Sequence, residues 1–149
     1  MHVIKRCSPI LIVEDHLDTR EMYAWYLRTR GVRVVEACNS DQALHRVRHP
    51  KPAVIVVDLS LPAPGACKLI RTLRVDAPTR RIPIIALNGF GYQHYSDEAL
   101  QAGCCCVLVK PCLPEVLAEV AAIVRGGESP RDGAAVRTDT CGTLARIIG

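Results

Sequence analysis

Aromatic residues are scarce in this chain: one Phe, one Trp and four Tyr make up 4% of it, so aliphatic side chains must build the core. Long apolar runs are missing too. No window approaches the length of a membrane span. Lys5 and Arg6 precede only a short apolar stretch that Glu14 ends, too short and too acid-flanked for a signal peptide. A cytoplasmic protein with no membrane partner is therefore expected. A dense basic run is absent as well. The net charge of +4 is spread over arginines such as Arg28, Arg30 and Arg33, or Arg71, Arg74, Arg80 and Arg81. These read as solvated helix faces and partners of helix C-termini, and no direct DNA binding is expected. The sequence holds no G-x-x-x-x-G-K-S/T phosphate loop, no G-x-G-x-x-G after its first strand and no G-x-S-x-G nucleophile elbow.

Cysteine is plentiful, with eight residues, but the pattern of a metal or disulfide framework is lacking. No pair of C-x-x-C motifs stands at zinc-finger spacing. Cys104, Cys105 and Cys106 are consecutive, so in a strand they alternate between faces and cannot all hold one ion. In a reducing compartment they serve as small core hydrophobes. Cys112, just beyond Lys110 and Pro111, is the one thiol whose neighbouring ammonium suggests a lowered pKa and redox sensing.

At 149 residues the chain is one domain with room for a real core. Apolar runs and helical periodicities alternate along it. Strands are expected over residues 9–13, 32–37, 53–57, 82–87 and 105–109. Helices are expected over 16–30, from Asn39 or Ser40 to about 48, and over 66–75, 96–102 and 114–125. Met22, Trp25, Tyr26 and Leu27 are assigned to the inner face of the first helix. Each strand is a continuous apolar run, as expected of strands buried on both faces. The pattern predicts an α/β fold: a doubly wound, five-stranded parallel sheet with helices on both faces, flavodoxin-like. The folded domain should span residues 8–125. The Gly- and Pro-containing stretch from 126 to 149 reads as a flexible C-terminal tail, with no second folded unit for an output activity.

Asp58 directly follows the apolar run Ala53-Val54-Ile55-Val56-Val57, which puts its carboxylate at the C-terminal edge of a strand. In open parallel α/β sheets that edge is where ligands bind. Glu14 and Asp15 follow Ile10-Leu11-Ile12-Val13, and Lys110-Pro111 follows Val107-Leu108-Val109, at the matching places on other strands. Three carboxylates and one ammonium can meet there in one pocket. Clustered carboxylates repel unless a cation sits among them. A hard divalent ion with few protein ligands suits Mg²⁺, which shares its shell with waters and a phosphate. An Asp carboxylate can be a nucleophile toward phosphorus, and Lys110 would supply positive charge at the phosphoryl oxygens. Singly, each acid reads equally well as a helix cap. All four residues on the right strand ends are harder to explain that way.

With these residues in view, the chain resembles a response-regulator receiver domain of two-component signalling, of the single-domain type. The resemblance rests on Ile10-Leu11-Ile12-Val13-Glu14-Asp15, Val54-Ile55-Val56-Val57-Asp58-Leu59-Ser60-Leu61-Pro62, Pro83-Ile84-Ile85-Ala86-Leu87, Ala99-Leu100-Gln101-Ala102-Gly103 and Leu108-Val109-Lys110-Pro111. It is collinear over about residues 8–125. It implies that Asp58 is the phosphoacceptor. It further implies that Asp15 and Asp58 hold Mg²⁺ directly, with Glu14 acting through water and the Ser60 carbonyl adding a ligand, and that Lys110 contacts the phosphoryl group. The implied donor is a phosphohistidine on a sensor histidine kinase or phosphotransfer protein. The output is binding to a downstream protein target. Such a protein is not an enzyme beyond its own Mg²⁺-dependent phosphorylation and dephosphorylation. Ser60 and Phe90 lie where the family tunes hydrolysis.

Two positions depart from the family pattern. Asn88 stands at the end of the fourth strand, where the family has Ser or Thr whose hydroxyl moves to the phosphoryl group. An Asn amide can donate a similar bond with different reach. Val107 stands where the family has a Tyr or Phe that swings inward on phosphorylation. Both switch positions are thus altered, and Tyr92 or Tyr95 is a candidate substitute for the aromatic. Leu113 is a poor residue for the cap of the last helix. Two other readings stay open. One is a receiver-fold binding module that works without phosphate, favoured by Asn88 and Val107. The other is an unrelated α/β enzyme. A haloacid-dehalogenase-like phosphatase would need a second Asp two residues after the nucleophile, where Ser60 stands.

Overall fold

The strands β1 (Ile10–Val13), β2 (Val34–Ala37), β3 (Val54–Asp58), β4 (Ile84–Asn88) and β5 (Cys106–Val109) alternate with helices along the chain. The helices are α1 (Leu17–Thr29), α2 (Ser40–Arg46), α3 (Ala66–Val75), α4 (Gln93–Ala102) and α5 (Pro114–Arg125). They come from a computed structural model that describes residues 7–89, 93–126 and 137–138. All strand pairs are parallel, in the order β2-β1-β3-β4-β5. The backbone of a two-residue strand, β6 (Arg137–Thr138), pairs in parallel with β5 as a sixth strand at that edge. The rest of the tail expected after 126 lies outside the described residues.

Two apolar layers enclose the sheet because alternate residues of each buried strand face opposite ways. Leu11, Ile55, Val57, Ala86 and Val107 join Ala43, Ile70, Leu73 and Ala99 from α2, α3 and α4 on one side. Ile10, Ile12, Val56, Leu87 and Leu108 join Tyr23, Leu27, Leu117 and Val120 from α1 and α5 on the other. Aliphatic residues fill both layers, as the scarcity of aromatics requires. β2, at the sheet edge, is only partly buried and carries Glu36, which Arg20 and Arg28 neutralise at 3.3 and 3.2 Å.

Helix phase departs from the expected one in α1. There the buried residues are Tyr23, Ala24 and Leu27, while Met22 is 43% and Trp25 67% exposed. With Leu27 inward, positions three and four residues earlier share its face, and those are Ala24 and Tyr23. Assigning the bulkiest apolar side chains inward misplaced the stripe. α4 starts three residues earlier than expected, so Ser96 lies within the helix, on the inner face with Ala99 and Ala102. Leu113 precedes α5 with no side-chain cap and is 59% exposed, while Pro114 occupies the first turn, where its missing N–H is harmless.

The sheet order reverses at β1, whose neighbours lead away in opposite directions, so the α1 and α3 connections diverge there and leave a crevice above β1 and β3. The chain places Glu14, Asp15 and Asp58 at this crevice.

Candidate phosphoacceptor site

Asp58 is the last residue of β3 and is 1% exposed, as is Glu14 just beyond β1. Asp15 is exposed at the mouth of the crevice. Carboxylate oxygens of all three lie within 4.8 Å of one another. Lys110, just past β5, reaches into the group: its Nζ donates to Asp58 Oδ2 at 2.6 Å and to Glu14 Oε2 at 3.0 Å. The lysine backbone is fixed by its N–H donating to the Asn88 carbonyl at 2.7 Å. The Ser60 N–H and hydroxyl both donate to Asp58 Oδ1 at 2.8 Å, so each oxygen of Asp58 has a defined donor. Glu14 Oε1 accepts from the His16 N–H at 3.1 Å, and His16 in turn caps α1.

The charges in the pocket are uneven. Burial, reinforced by Asp58 alongside, pushes Glu14 up to about 8, so it keeps a proton at neutral pH. Burial pushes Asp58 upward as well, but hydrogen bonds from Glu14, Lys110 and Ser60 outweigh it and hold Asp58 at about 2. Burial acts against the Lys110 charge, yet Asp58 and Glu14 raise its pKa on balance. One ammonium does not balance the two buried acids, and a proton on Glu14 makes up the difference. A hard divalent cation with oxygen ligands would do so instead. The all-carboxylate donor set fits Mg²⁺, which prefers a few carboxylates and retained waters.

The two departures from the family pattern are resolved in different ways. The Asn88 amide is turned toward α4, where Nδ2 donates to Ser96 Oγ at 2.8 Å, and both residues are 4% exposed. Val107 is fully buried against the α3 and α4 layer. Tyr95 is 43% exposed and stacks on His94 at 4.1 Å, so it does not fill the inward place of an aromatic. Tyr92 and Phe90 lie outside the described residues. Ser96 was not singled out from the sequence. Its spacing of three from Ala99 and six from Ala102, all small, is the signal that could have placed it on the inner face of α4.

Cys112 departs from expectation. It is 8% exposed, and burial pushes its thiol up to about 11 against the pull of Lys110. A thiol held protonated is a poor redox sensor. Its carbonyl accepts from the buried Tyr23 hydroxyl at 2.7 Å, tying the β5–α5 connection to α1. Beside it a largely apolar cleft of about 410 Å³ opens next to Lys110, lined by Met22, Tyr23, Pro111 and Leu113 among others. Arg74, expected on a solvated face, instead donates to the Gly103, Arg80 and Ile82 carbonyls at 2.8, 3.0 and 2.6 Å, cross-bracing α3 to the loops around β4 and β5.

A doubly wound sheet with acids and a lysine at its switch point defines a class of α/β domains that bind ligands at that edge. The family model of the response regulator receiver domain matches residues 10–122, and the chain belongs to that family. It is 32% identical over 117 residues to the phosphate regulon transcriptional regulatory protein PhoB of Escherichia coli, covering 78% of this chain and 51% of that protein. It is 26% identical over 102 residues to the polar-differentiation response regulator DivK of Brucella anthropi, covering 68% of this chain and 83% of that one. A solved putative response regulator from Chloroflexus aurantiacus superposes with a TM-score of 0.73 at 28% identity, covering 80% of this chain and 98% of that one. The chemotaxis response regulator CheY4 of Vibrio cholerae shares the fold, with a TM-score of 0.73 at 24% identity over 79% of this chain and 98% of that one. The chain spans about half the length of the PhoB relatives it matches. Receiver domains are signalling modules rather than classical enzymes. No helix among the described residues is long and apolar enough to cross a membrane.

Proposed function

We propose that this chain is a phosphoacceptor in a two-component relay, phosphorylated on Asp58 and signalling by protein–protein contact from the cytoplasm. The observation that carries the reading is the buried Asp58 carboxylate, 2.6 Å from the Lys110 ammonium and clustered with Glu14 and Asp15 at the sheet's switch point. Asp58, Asp15 and, through water, Glu14 would hold Mg²⁺, with the Ser60 carbonyl as a further ligand. Bound there, the ion would neutralise charge on the phosphoryl group. An Asp58 carboxylate oxygen attacks phosphorus of a phosphohistidine. The new O–P bond forms as the P–N bond breaks, and the electron pair leaves with the imidazole nitrogen. Lys110 offers its positive charge to the phosphoryl oxygens, and Ser60 keeps the carboxylate oriented. The apolar cleft beside Lys110, with exposed Met22 and Leu113 at its rim, offers the donor protein a docking surface next to the acceptor. The donor would be a sensor histidine kinase or phosphotransfer protein. Residues 8–125 would form the receiver, with the short strand β6 added at its β5 edge.

Intact-mass measurement after incubation with acetyl phosphate and Mg²⁺ tests this. One added phosphoryl group is expected, absent without Mg²⁺ and absent in Asp58→Asn. No adduct, even from a phosphohistidine donor, would leave the second reading, a receiver-fold module that binds its partner without phosphate. That reading draws on Asn88 being turned toward Ser96 and on the aliphatic Val107.

A further inference from the structure

β5 is the last of the five long strands, and an open strand edge is a template for another chain. Its inner side is taken by β4, with Ala86 opposite Val107 and Leu87 opposite Leu108. Its outer side is taken in parallel by β6, with Arg137 opposite Val107 and Thr138 opposite Leu108. No other strand lies on that side among the described residues. Three observations fit this placement. A parallel neighbour needs a crossover that brings the chain back to the edge where strands begin. α5 provides it: Arg125, its last residue, donates from Nη2 to the Ser8 carbonyl at 2.9 Å, just ahead of β1. The ten residues from 127 to 136 reach about 33 Å when extended, ample for rounding a helix about 10 Å across. The backbone of β5 is also turned the right way. The Cys105 N–H donates to the Ile84 carbonyl at 2.8 Å, toward β4. Successive N–H groups of a strand alternate sides, so that of Val107 faces β4 and that of Leu108 faces outward. Finally, the sequence Val136-Arg137-Thr138-Asp139-Thr140 alternates β-branched with charged residues, a pattern that favours an extended strand.

We infer that the outer side of β5 is a strand-addition site for an extended peptide rich in β-branched residues, and that the chain fills it in cis with its own Arg137–Thr138 segment. In strand addition the ladder of main-chain bonds supplies affinity and alternate side chains supply selectivity. A two-residue ladder is short, so its occupancy comes from tethering. A short linker holds such a segment at an effective concentration on the order of millimolar. The tethered segment keeps a competing peptide or a second copy off the edge until the competitor outmatches it. The site does not depend on Asp58 taking a phosphoryl group.

Amide exchange read residue by residue tests this in the full chain, comparing the natural sequence with the double substitution Arg137→Pro and Thr138→Pro. Proline removes both N–H groups that β6 could turn toward β5. The Leu108 amide should exchange about tenfold faster in the variant, the worth of one neutral hydrogen bond, while the Val107 amide keeps its rate. A synthetic peptide of residues 134–140, added at about 2 mM to match the tether, should slow Leu108 exchange in the variant and leave the natural chain unchanged. Equal Leu108 exchange in the two chains would overturn the proposal. So would Val107 speeding up along with Leu108, which marks a loosened sheet rather than an opened edge. A variant whose Leu108 amide ignores the peptide would show that the edge takes no added strand. Leu108 protection in the natural chain that rises with protein concentration would assign the edge to a second copy and overturn the filling in cis.

Discussion

At the end of β3 the edge of the sheet is held by charge, with Lys110 between Asp58 and Glu14. One strand further, at the end of β4, it is held by a neutral bond from Asn88 to Ser96. The two regions are neighbours and respond to different variables. A charge cluster tolerates small displacements but depends on pH and on any cation that joins it. A single neutral hydrogen bond ignores pH and depends on geometry. The chemistry of a receiver can thus be kept while the way it reports its state is rebuilt, because the two tasks are carried by separate interactions. Asn88 and Val107 stand outside the charge cluster, Asn88 bonded to Ser96 and Val107 buried in the layer under α3 and α4.

The comparison breaks most visibly at Lys110. Lys110→Met should lower the rate of phosphoryl uptake from acetyl phosphate about 100-fold, the scale of losing one preorganised donor, as read by intact mass over time. Uptake near the natural rate would mean that charge does not organise the pocket.

Next in size is the pH response without a divalent ion. Glu14 is raised to about 8 in the fold, against an ordinary value of 4.5, so the folded chain binds a proton that the unfolded chain releases. The stability linked to that proton is full below 4.5 and is lost as pH climbs toward 8. Asp58, held at about 2, acts in the opposite sense, and its contribution disappears only as pH falls from 3.8 toward 2. Urea unfolding between pH 5 and 8 should therefore show stability falling by about 2–4 kcal/mol. Glu14→Gln should flatten that slope, and so should Mg²⁺.

Asn88→Ala sharpens the contrast from the neutral side. It leaves the Ser96 hydroxyl buried without its amide partner and should cost about 1–2 kcal/mol in the same urea experiment. That cost should be equal at pH 5 and 8. A pH-dependent loss would tie Asn88 to the charge cluster.

The smallest effect is expected on the outer face of α1. Trp25 is 67% exposed, and Trp25→Ala should change stability by less than about 0.5 kcal/mol. A larger loss would show that the α1 stripe has been assigned to the wrong side.

Much of this architecture is legible in the residues themselves. The apolar runs ending in Asp58, in Glu14-Asp15 and in Lys110 specify parallel strands and bring the acids together, because a parallel sheet puts every strand's C-terminus at one edge. Side-chain identity alone did not reveal orientation. Met22 and Trp25 look like core residues by size, yet Tyr23 and Ala24 share the face of Leu27. Cys112 looks activated by Lys110 in sequence, whereas its burial dominates. Ser96 looks like the first residue of a helix until α4 is seen to begin at Gln93. In each case the deciding quantity is burial or helix phase, which depends on packing between distant segments.

The most direct measurement locates the phosphoryl group. The chain would be treated with acetyl phosphate and Mg²⁺, reduced with borohydride, which converts an aspartyl phosphate to homoserine, and mapped by tandem mass spectrometry. The account predicts homoserine at position 58 alone. Reduction at Asp15 or another acid, or none at all from a chain that carries the added phosphoryl mass, would contradict it.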